Sequence, residues 1–327
     1  MAAVTIPVRT PSAESGIRLM HPRRDLPAVV RLIELGFGEE LDPLGWKMLE
    51  QLQRVACGSF WAHLLLGNAT SPSGYVWTEK GAVVGNLSLR RAAPRWQEGW
   101  VIGNVVVHPD FRGRGIGRAL MERALETAEE QDARWVGLEV RADNAVARGL
   151  YERLGFRGVG QTWHLIHPAK TPWTTLPVPA PVWRVSKPED AALWSHLAGR
   201  IYGRRQREVV EVRPSLYTFG GWERKFDRWL RGQREWAWLE NAESPRYAVH
   251  VQTDKGHRFH NWELLLHPEE GGRAARETVA RAFSTLGHRR AWEVVTIVEE
   301  RSALIPLLQE LGFQLHRVLL QMILDLR

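Results

Sequence analysis

The sequence is short of cysteine, of lysine and of long apolar runs, and each shortage narrows what the chain can be. A single cysteine, Cys57, among 327 residues excludes an intramolecular disulfide framework and fits a reducing compartment. A lone thiol in that segment reads as structural rather than as a nucleophile. No stretch approaches the roughly 20 apolar residues that span a bilayer. Residues 1 to 16 lack the apolar centre of a secretion signal. The expected location is therefore the cytoplasm, with no membrane partner. Lysine is scarce in a basic chain: six of its 44 Lys and Arg residues are lysine, at a net charge of +7. The arginine bias reads as a GC-rich or heat-adapted genome, although an acidic substrate surface stays open.

What is present is concentrated in one stretch, Val105-Val106-Val107-His108-Pro109-Asp110-Phe111-Arg112-Gly113-Arg114-Gly115-Ile116-Gly117-Arg118. A β-branched run feeds a turn of glycine and arginine that opens into a helix, so backbone N–H groups, the positive helix end and guanidinium groups converge. Such a place suits a pyrophosphate. Gly113, Gly115 and Gly117 lack Cβ, which permits positive φ and lets phosphate oxygens come close to main-chain donors. A Walker loop needs Lys-Ser/Thr after its last glycine, and the dinucleotide fingerprint needs G-x-G-x-x-G. Arg118-Ala119 and Arg118 stand at those places, so neither fits. A second pattern follows downstream: a strand from Trp135 to Val140, then Asn144 opening a helix that ends Tyr151-Glu152-Arg153-Leu154-Gly155-Phe156.

Arg112-x-x-Gly115-x-Gly117 after a Val-x-Pro strand end, with Asn144 and Tyr-x-x-Leu-Gly-Phe beyond it, resembles the GCN5-related N-acetyltransferase (GNAT) superfamily. The resemblance implies a loop that holds the pyrophosphate of acetyl-CoA, bound through Arg112, Gly113, Arg114, Gly115, Ile116, Gly117 and Arg118. It implies that the backbone of Val105, Val106 and Val107 binds the pantetheine and thioester oxygen, and that Asn144 contacts the pantetheine or phosphate region. It also implies that Tyr151 protonates the departing thiolate. From the residues alone, Ala147, Leu150, Tyr151 and Leu154 fall at helical spacing, so Tyr151 can also be read as one aromatic on a packed stripe.

The expected fold class is mixed α/β (α+β), as two tandem GNAT folds, each a mostly antiparallel central sheet flanked by helices. Residues 1–167 are expected to form the catalytic domain, 168–182 a Pro-rich linker and 183–327 a degenerate GNAT-like domain. The coarse order in the first repeat closes with two strands, Phe156 to Gly160 and Thr162 to His167. The second repeat is visible in Trp183-Arg184-Val185 before Pro188-Glu189-Asp190, in His267-Pro268, and in Leu311-Gly312-Phe313. Counted from the His-Pro pair, Ala274 and Arg276 replace Gly115 and Gly117. Counted from Leu-Gly-Phe, Leu308 replaces Tyr151 and Arg301 replaces Asn144. The copy has thus lost the cofactor loop. Some double-domain members of the family keep their catalytic half at the C-terminus; here the intact motifs are N-terminal.

The reaction implied is attack by a primary amine on the acetyl thioester in a ternary complex, with no metal. Glu139 interrupts an apolar strand, and a carboxylate on a strand covered on both faces suits general-base work. The competing reading is a structural carboxylate paired with Arg141 or a helix. Asn104 is the other polar interruption; it can orient a water or polarise the acetyl carbonyl. The acceptor is expected to be a small-molecule or peptide amine, and the chain a monomer or weak homodimer. Two alternatives stand beside this reading: an acyl-CoA sensor without turnover, and an acetyltransferase whose basic second half binds nucleic acid. Nucleic acid is not expected, because Glu208, Glu211, Glu223, Asp227 and Glu235 intersperse the arginines. That segment reads as a salt-bridged surface over a tryptophan-rich core.

Overall fold

The computed structural model describes residues 15–56, 74–92, 98–173, 182–212, 214–287 and 291–326. Cys57, Arg213 and the linker prolines Pro177, Pro179 and Pro181 lie outside them. In chain order the elements are β1 (Gly16–Leu19), α1 (Pro22–Phe37), α2 (Pro43–Ala56), β2 (Gly74–Glu79), β3 (Ala82–Arg91), β4 (Gly99–Val107), α3 (Ile116–Glu130), β5 (Trp135–Arg141), α4 (Ala145–Arg153) and β6 (Arg157–His167). The second repeat follows as β7 (Trp183–Val185), α5 (Ala191–Ile201), α6 (Gln206–Val209), α7 (Trp222–Leu230), β8 (Gln233–Glu240), β9 (Tyr247–Asp254), β10 (Phe259–Leu266), α8 (Gly272–Ser284), β11 (Glu293–Glu299), α9 (Leu304–Glu310) and β12 (Gln314–Asp325). None of the described helices is long and apolar enough to cross a membrane.

The chain forms two compact units. The first comprises Met1–Glu40, Met48–Arg90 and Ile102–Asp132; the second comprises Leu41–Lys47, Arg91–Val101 and Ala133–Arg327. In the first unit the strand order is β1-β2-β3-β4. Its helix α3 buries Ile116, Leu120, Met121, Ala124 and Ala128 on one face, each large side chain contributing about 1.5–3 kcal/mol. Gly85 of β3 lets this helix sit close: a Cβ there would lie 3.0 Å from Ile116 Cγ2 and 3.2 Å from Leu120 Cδ1. The start of α3 is thereby pinned to the sheet.

In the second unit the order is β5-β12-β6-β11-β10-β9-β8-β7. The last strands of the two repeats are exchanged. β12, from the end of the second repeat, lies antiparallel between β5 and β6, while β6 of the first repeat pairs with β11. The two short strands expected between Phe156 and His167 are one, β6, because β12 pairs along its length from Arg157 to Ile166 with two register shifts. Among the described residues of this unit, only β10 and β11 run parallel, from Phe259–Trp262 against Glu293–Thr296. One sheet face carries Trp262, Phe283, Leu304, Leu308 and Phe313, and the other Trp194, Tyr217 and Phe219. Trp173, in the expected linker, stacks on His167 at 3.8 Å and packs on the first of these cores.

Matching bonds bear out the repeat. Arg18 forms a bidentate pair with Asp25 (2.5 and 2.8 Å), and Arg184 forms one with Asp190 (2.7 and 2.8 Å). His108 Nδ1 accepts from the Asp110 N–H and His267 Nδ1 from the Glu269 N–H, both at 3.3 Å. Phe156 N–H donates to Tyr151 O at 3.0 Å, and Phe313 N–H donates to Leu308 O at 2.9 Å. The loop register needs correction. Gly115 caps α3 and Gly271 caps α8, each accepting the first helical bond, from Ala119 and Ala275. Gly271, not Ala274, is therefore the counterpart of Gly115. The second loop is shorter by three residues, counted from His108 to Gly115 and from His267 to Gly271. What the copy lacks is the arginine-bearing turn itself.

The basic segment of the second repeat is salt-bridged as expected, with Arg224 on Glu235 at 2.7 Å and Arg205 on Glu208 at 2.5 Å. The tryptophan-rich core beneath it is only partly realised. Trp236 packs on the core, whereas Phe226 and Trp229 are 57% and 71% exposed and stack on each other.

Candidate functional site

The sequence-predicted residues divide between the two units: Asn104 to Arg118 in the first, and Glu139, Asn144 and Tyr151 in the second. Within the first unit the loop is built as a strand, a sharp turn and a helix start. Val105, Val106 and Val107 close β4, with Val106 buried. Arg112 donates from Nε to Val107 O at 3.1 Å, which ties its guanidinium to the strand end. Arg114 donates to Asp110 O at 2.9 Å and lies 4.8 Å over the Phe111 ring. Both arginines, with Gly113 and Gly115, are exposed.

Gly113 and Gly115 have φ +76° and +78°, the left-handed region that costs other residues about 1–2 kcal/mol. No atom lies within 4 Å of a Cβ added at either. Glycine is thus required there by backbone conformation, not by crowding. Gly117 departs from the sequence reading, since it sits inside α3 and is not among the positive-φ residues. The first helical bond runs from Ala119 N–H to Gly115 O at 3.0 Å. The N–H groups of Ile116, Gly117 and Arg118 precede it and have no intrahelical acceptor. Three open donors, the positive end of a four-turn helix and two anchored arginines form a cradle that could hold an anion. Arg118 also pairs with Glu122 at 2.7 Å.

Asn104 takes φ +51° in the middle of β4, a conformation asparagine tolerates better than most residues. Its carbonyl accepts from Asn86 Nδ2 at 3.0 Å and its own Nδ2 donates to Ser88 Oγ at 3.3 Å. Asn86 is wholly buried. The polar interruption is therefore a backbone irregularity held by a neighbouring strand, just before Val105. Sequence reasoning missed Asn86, although an asparagine in an apolar strand is a visible signal.

In the second unit Tyr151 is the buried residue of α4. Burial pushes its phenol up from 10.0 to about 12, so it keeps its proton throughout the neutral range. Leu150 and Leu154 of the helical stripe are only half-buried. Asn144 caps α4, its Oδ1 accepting from Ala147 N–H at 3.0 Å, and is exposed. Glu139 does not lie on a strand covered on both faces: it is exposed. Arg141 forms a bidentate pair with Asp143, at 2.8 and 2.5 Å. Glu139 instead accepts from Gln321 Nε2 at 2.8 Å. Nothing in the sequence announced Gln321, because β12 reaches β5 from the far end of the chain. Among the described residues no group of three or more His, Cys, Asp or Glu could hold a metal ion.

Residues 44–156 match the model of the acetyltransferase (GNAT) family. Two curated relatives are the [ribosomal protein bS18]-alanine N-acetyltransferase of Escherichia coli K12, 47% identical over 53 residues, and a putative one of Bacillus subtilis, 41% identical over 59. The chain covers 36% and 39% of their lengths, and they cover 16% and 18% of it. The fold extends over nearly the whole chain. A GCN5-related N-acetyltransferase from Sphaerobacter thermophilus aligns over 95% of both chains at TM-score 0.65 and 18% identity. A tandem GNAT protein from the clavulanic acid biosynthesis pathway aligns over 95% of this chain and 98% of its own, at TM-score 0.59 and 20% identity.

Proposed function

We propose that the chain is an N-acetyltransferase that moves an acetyl group from acetyl-CoA to a primary amine by direct attack in a ternary complex. The observation that carries this reading is the anion cradle at Arg112–Arg118, with two left-handed glycines and three open N–H groups at the start of α3. It takes the pyrophosphate. The backbone of Val105 to Val107 takes the pantetheine and the thioester oxygen, and Asn144 takes the pantetheine through the amide nitrogen its cap leaves over.

The acceptor must lose a proton. A protonated alkylamine with a pKa of about 10.4 costs about 4.6 kcal/mol to deprotonate at pH 7, and an α-amine near 7.8 costs about 1 kcal/mol. Glu139 is the proton acceptor, directly or through a water, and Asn104 orients that water or polarises the acetyl carbonyl. The nitrogen lone pair attacks the carbonyl carbon, the C–S bond breaks, the thiolate takes the phenolic proton of Tyr151, and the tyrosinate recovers a proton from the acylated nitrogen. A phenol held protonated by burial suits the last step. No metal enters the reaction, and the cytoplasm, where acetyl-CoA is made available, is the proposed location.

A panel of an alanine-terminated peptide, a polyamine, an aminoglycoside and a lysine-like amine tests the reading, followed by thiol release and by mass detection of the acetylated product. The expected result is amine-dependent thiol release with one panel class preferred. Acetyl-CoA binding without thiol release from any of the four would turn the reading into that of a sensor.

A further inference from the structure

The second repeat lacks the anion cradle, yet it places two wholly buried glutamines against the first repeat's strands. Gln321 of β12 is in register with Glu139 of β5 on one side and with Gly160 of β6 on the other. Its Nε2 donates to Glu139 Oε1 at 2.8 Å and to Thr162 Oγ1 at 3.0 Å. Its Oε1 accepts from Gln206 Nε2 at 3.0 Å, and that same nitrogen donates to Gln161 O at 3.3 Å. Both glutamines are 0% exposed. The direction of the two amides is fixed from both ends, since a backbone carbonyl and a carboxylate can only accept. The chain of donors therefore runs from the interior outward and ends on Glu139.

Gly160 makes room for this. A Cβ at that position would lie 2.3, 2.5 and 2.6 Å from Cδ, Oε1 and Nε2 of Gln206. The Gln206 amide occupies the volume that any other residue of β6 would fill. Burying two long amides costs desolvation and side-chain entropy that apolar residues of similar size would avoid. The expenditure fixes one thing at the surface: the orientation of an exposed carboxylate that would otherwise rotate freely.

We propose that Gln321 and Gln206 are positioning residues for Glu139, by which the second repeat holds the proton acceptor of the first in place for the amine. The proposal rests on the reading of Glu139 given above. It gives the copy without a cradle a task in the reaction, beyond completing the sheet.

The test uses the full chain and compares wild type with Gln321→Leu, Gly160→Ala, Glu139→Gln and the double variant Glu139→Gln/Gln321→Leu. Initial rates are measured with acetyl-CoA and the panel amine that wild type acetylates fastest, alongside acetyl-CoA calorimetry and melting curves. Loss of a hydrogen bond to a charged group predicts a fall in kcat of about tenfold for Gln321→Leu and Gly160→Ala, with acetyl-CoA affinity unchanged. In the Glu139→Gln background, Gln321→Leu should have no further effect, because coupled residues are not additive. Folded Gln321→Leu with wild-type kcat, or an equal loss in both backgrounds, overturns the proposal. Gly160→Ala keeps Gln321 and Glu139 and so decides the matter if Gln321→Leu does not fold. Full activity of Glu139→Gln with a loss in Gln321→Leu removes both the base reading and this one. If wild type acetylates none of the panel, crystal structures of wild type and Gly160→Ala decide: an ordered Glu139 that loses Gln321 in the variant supports positioning, and an unmoved carboxylate contradicts it.

Discussion

Glu139 and Gln321 lie 182 residues apart in sequence and face each other across β5 and β12, joined by a 2.8 Å hydrogen bond. The strand that carries Gln321 fills the place between β5 and β6, so the first repeat's sheet is not finished until the last residues of the second have paired. A chain ending at Pro172 would leave β5 with an open edge and β6 without either of its partner strands, and would expose Leu138, Val140 and Leu165, which are now buried. Size-exclusion chromatography and circular dichroism of residues 1–172 should show aggregated or unfolded protein. A soluble, folded monomer would contradict the exchange of strands.

Gly115→Ala tests the backbone of the cradle. The left-handed φ of +78° makes the variant pay about 1–2 kcal/mol, or shift the helix start. Acetyl-CoA affinity should fall roughly tenfold. Since nothing lies within 4 Å of the new Cβ, crowding cannot be the cause. Calorimetry showing wild-type affinity would count against the loop.

Tyr151→Phe should lower kcat and leave acetyl-CoA affinity unchanged, because the ring stays and only the acid is lost. With the phenol pushed up to about 12 by burial, no tyrosine limb should enter the wild-type rate profile below about pH 11. The ratio of wild-type to variant rates should then be flat from pH 6 to 10. Equal turnover at every pH would return Tyr151 to the packed-stripe reading.

His250 governs how the second repeat responds to pH. It is buried between Glu235, 2.9 Å from Nε2, and Glu263, 3.2 Å from Nδ1. Burial lowers its pKa, but the two carboxylates override that and raise it above 6.5. Glu235 is in turn held at about 2, its burial outweighed by His250 and Arg224. A raised histidine pKa gives stability that is fully present below pH 6.5 and lost as pH rises through the folded value. The melting temperature should fall over that window, and His250→Gln should lose the dependence. The substitution takes the cation from half-buried Glu263, while Glu235 keeps Arg224 at 2.7 Å. A wild-type melting temperature flat from pH 6 to 9 would contradict this.

The strand, turn and helix start at Arg112–Arg118 were legible in the sequence because their geometry is local: Arg112, Gly113 and Gly115 set it through φ, hydrogen bonds and a helix start within a few residues. The repeat was legible from His-Pro and Leu-Gly-Phe for the same reason. The three-residue deletion in the second loop was not, because aligning the repeats from His267-Pro268 carries no information about where α8 begins. The exchange of β6 and β12 was also hidden, since pairing between residues as distant in sequence as Gly160 and Gln321 leaves no trace in local propensity. Gly160 is instructive. In sequence it reads as the end of a strand; in the fold it is a gap filled by Gln206, a residue that β6 could not have named.

Calorimetric titration of the full chain with acetyl-CoA bears most directly on the assignment of a single cofactor loop in the first repeat. The predicted result is one binding event per chain, with affinity strongly reduced when Arg112→Ala and Gly115→Val are combined. Two equivalent sites, or one site indifferent to those changes, would show that the cofactor is held elsewhere.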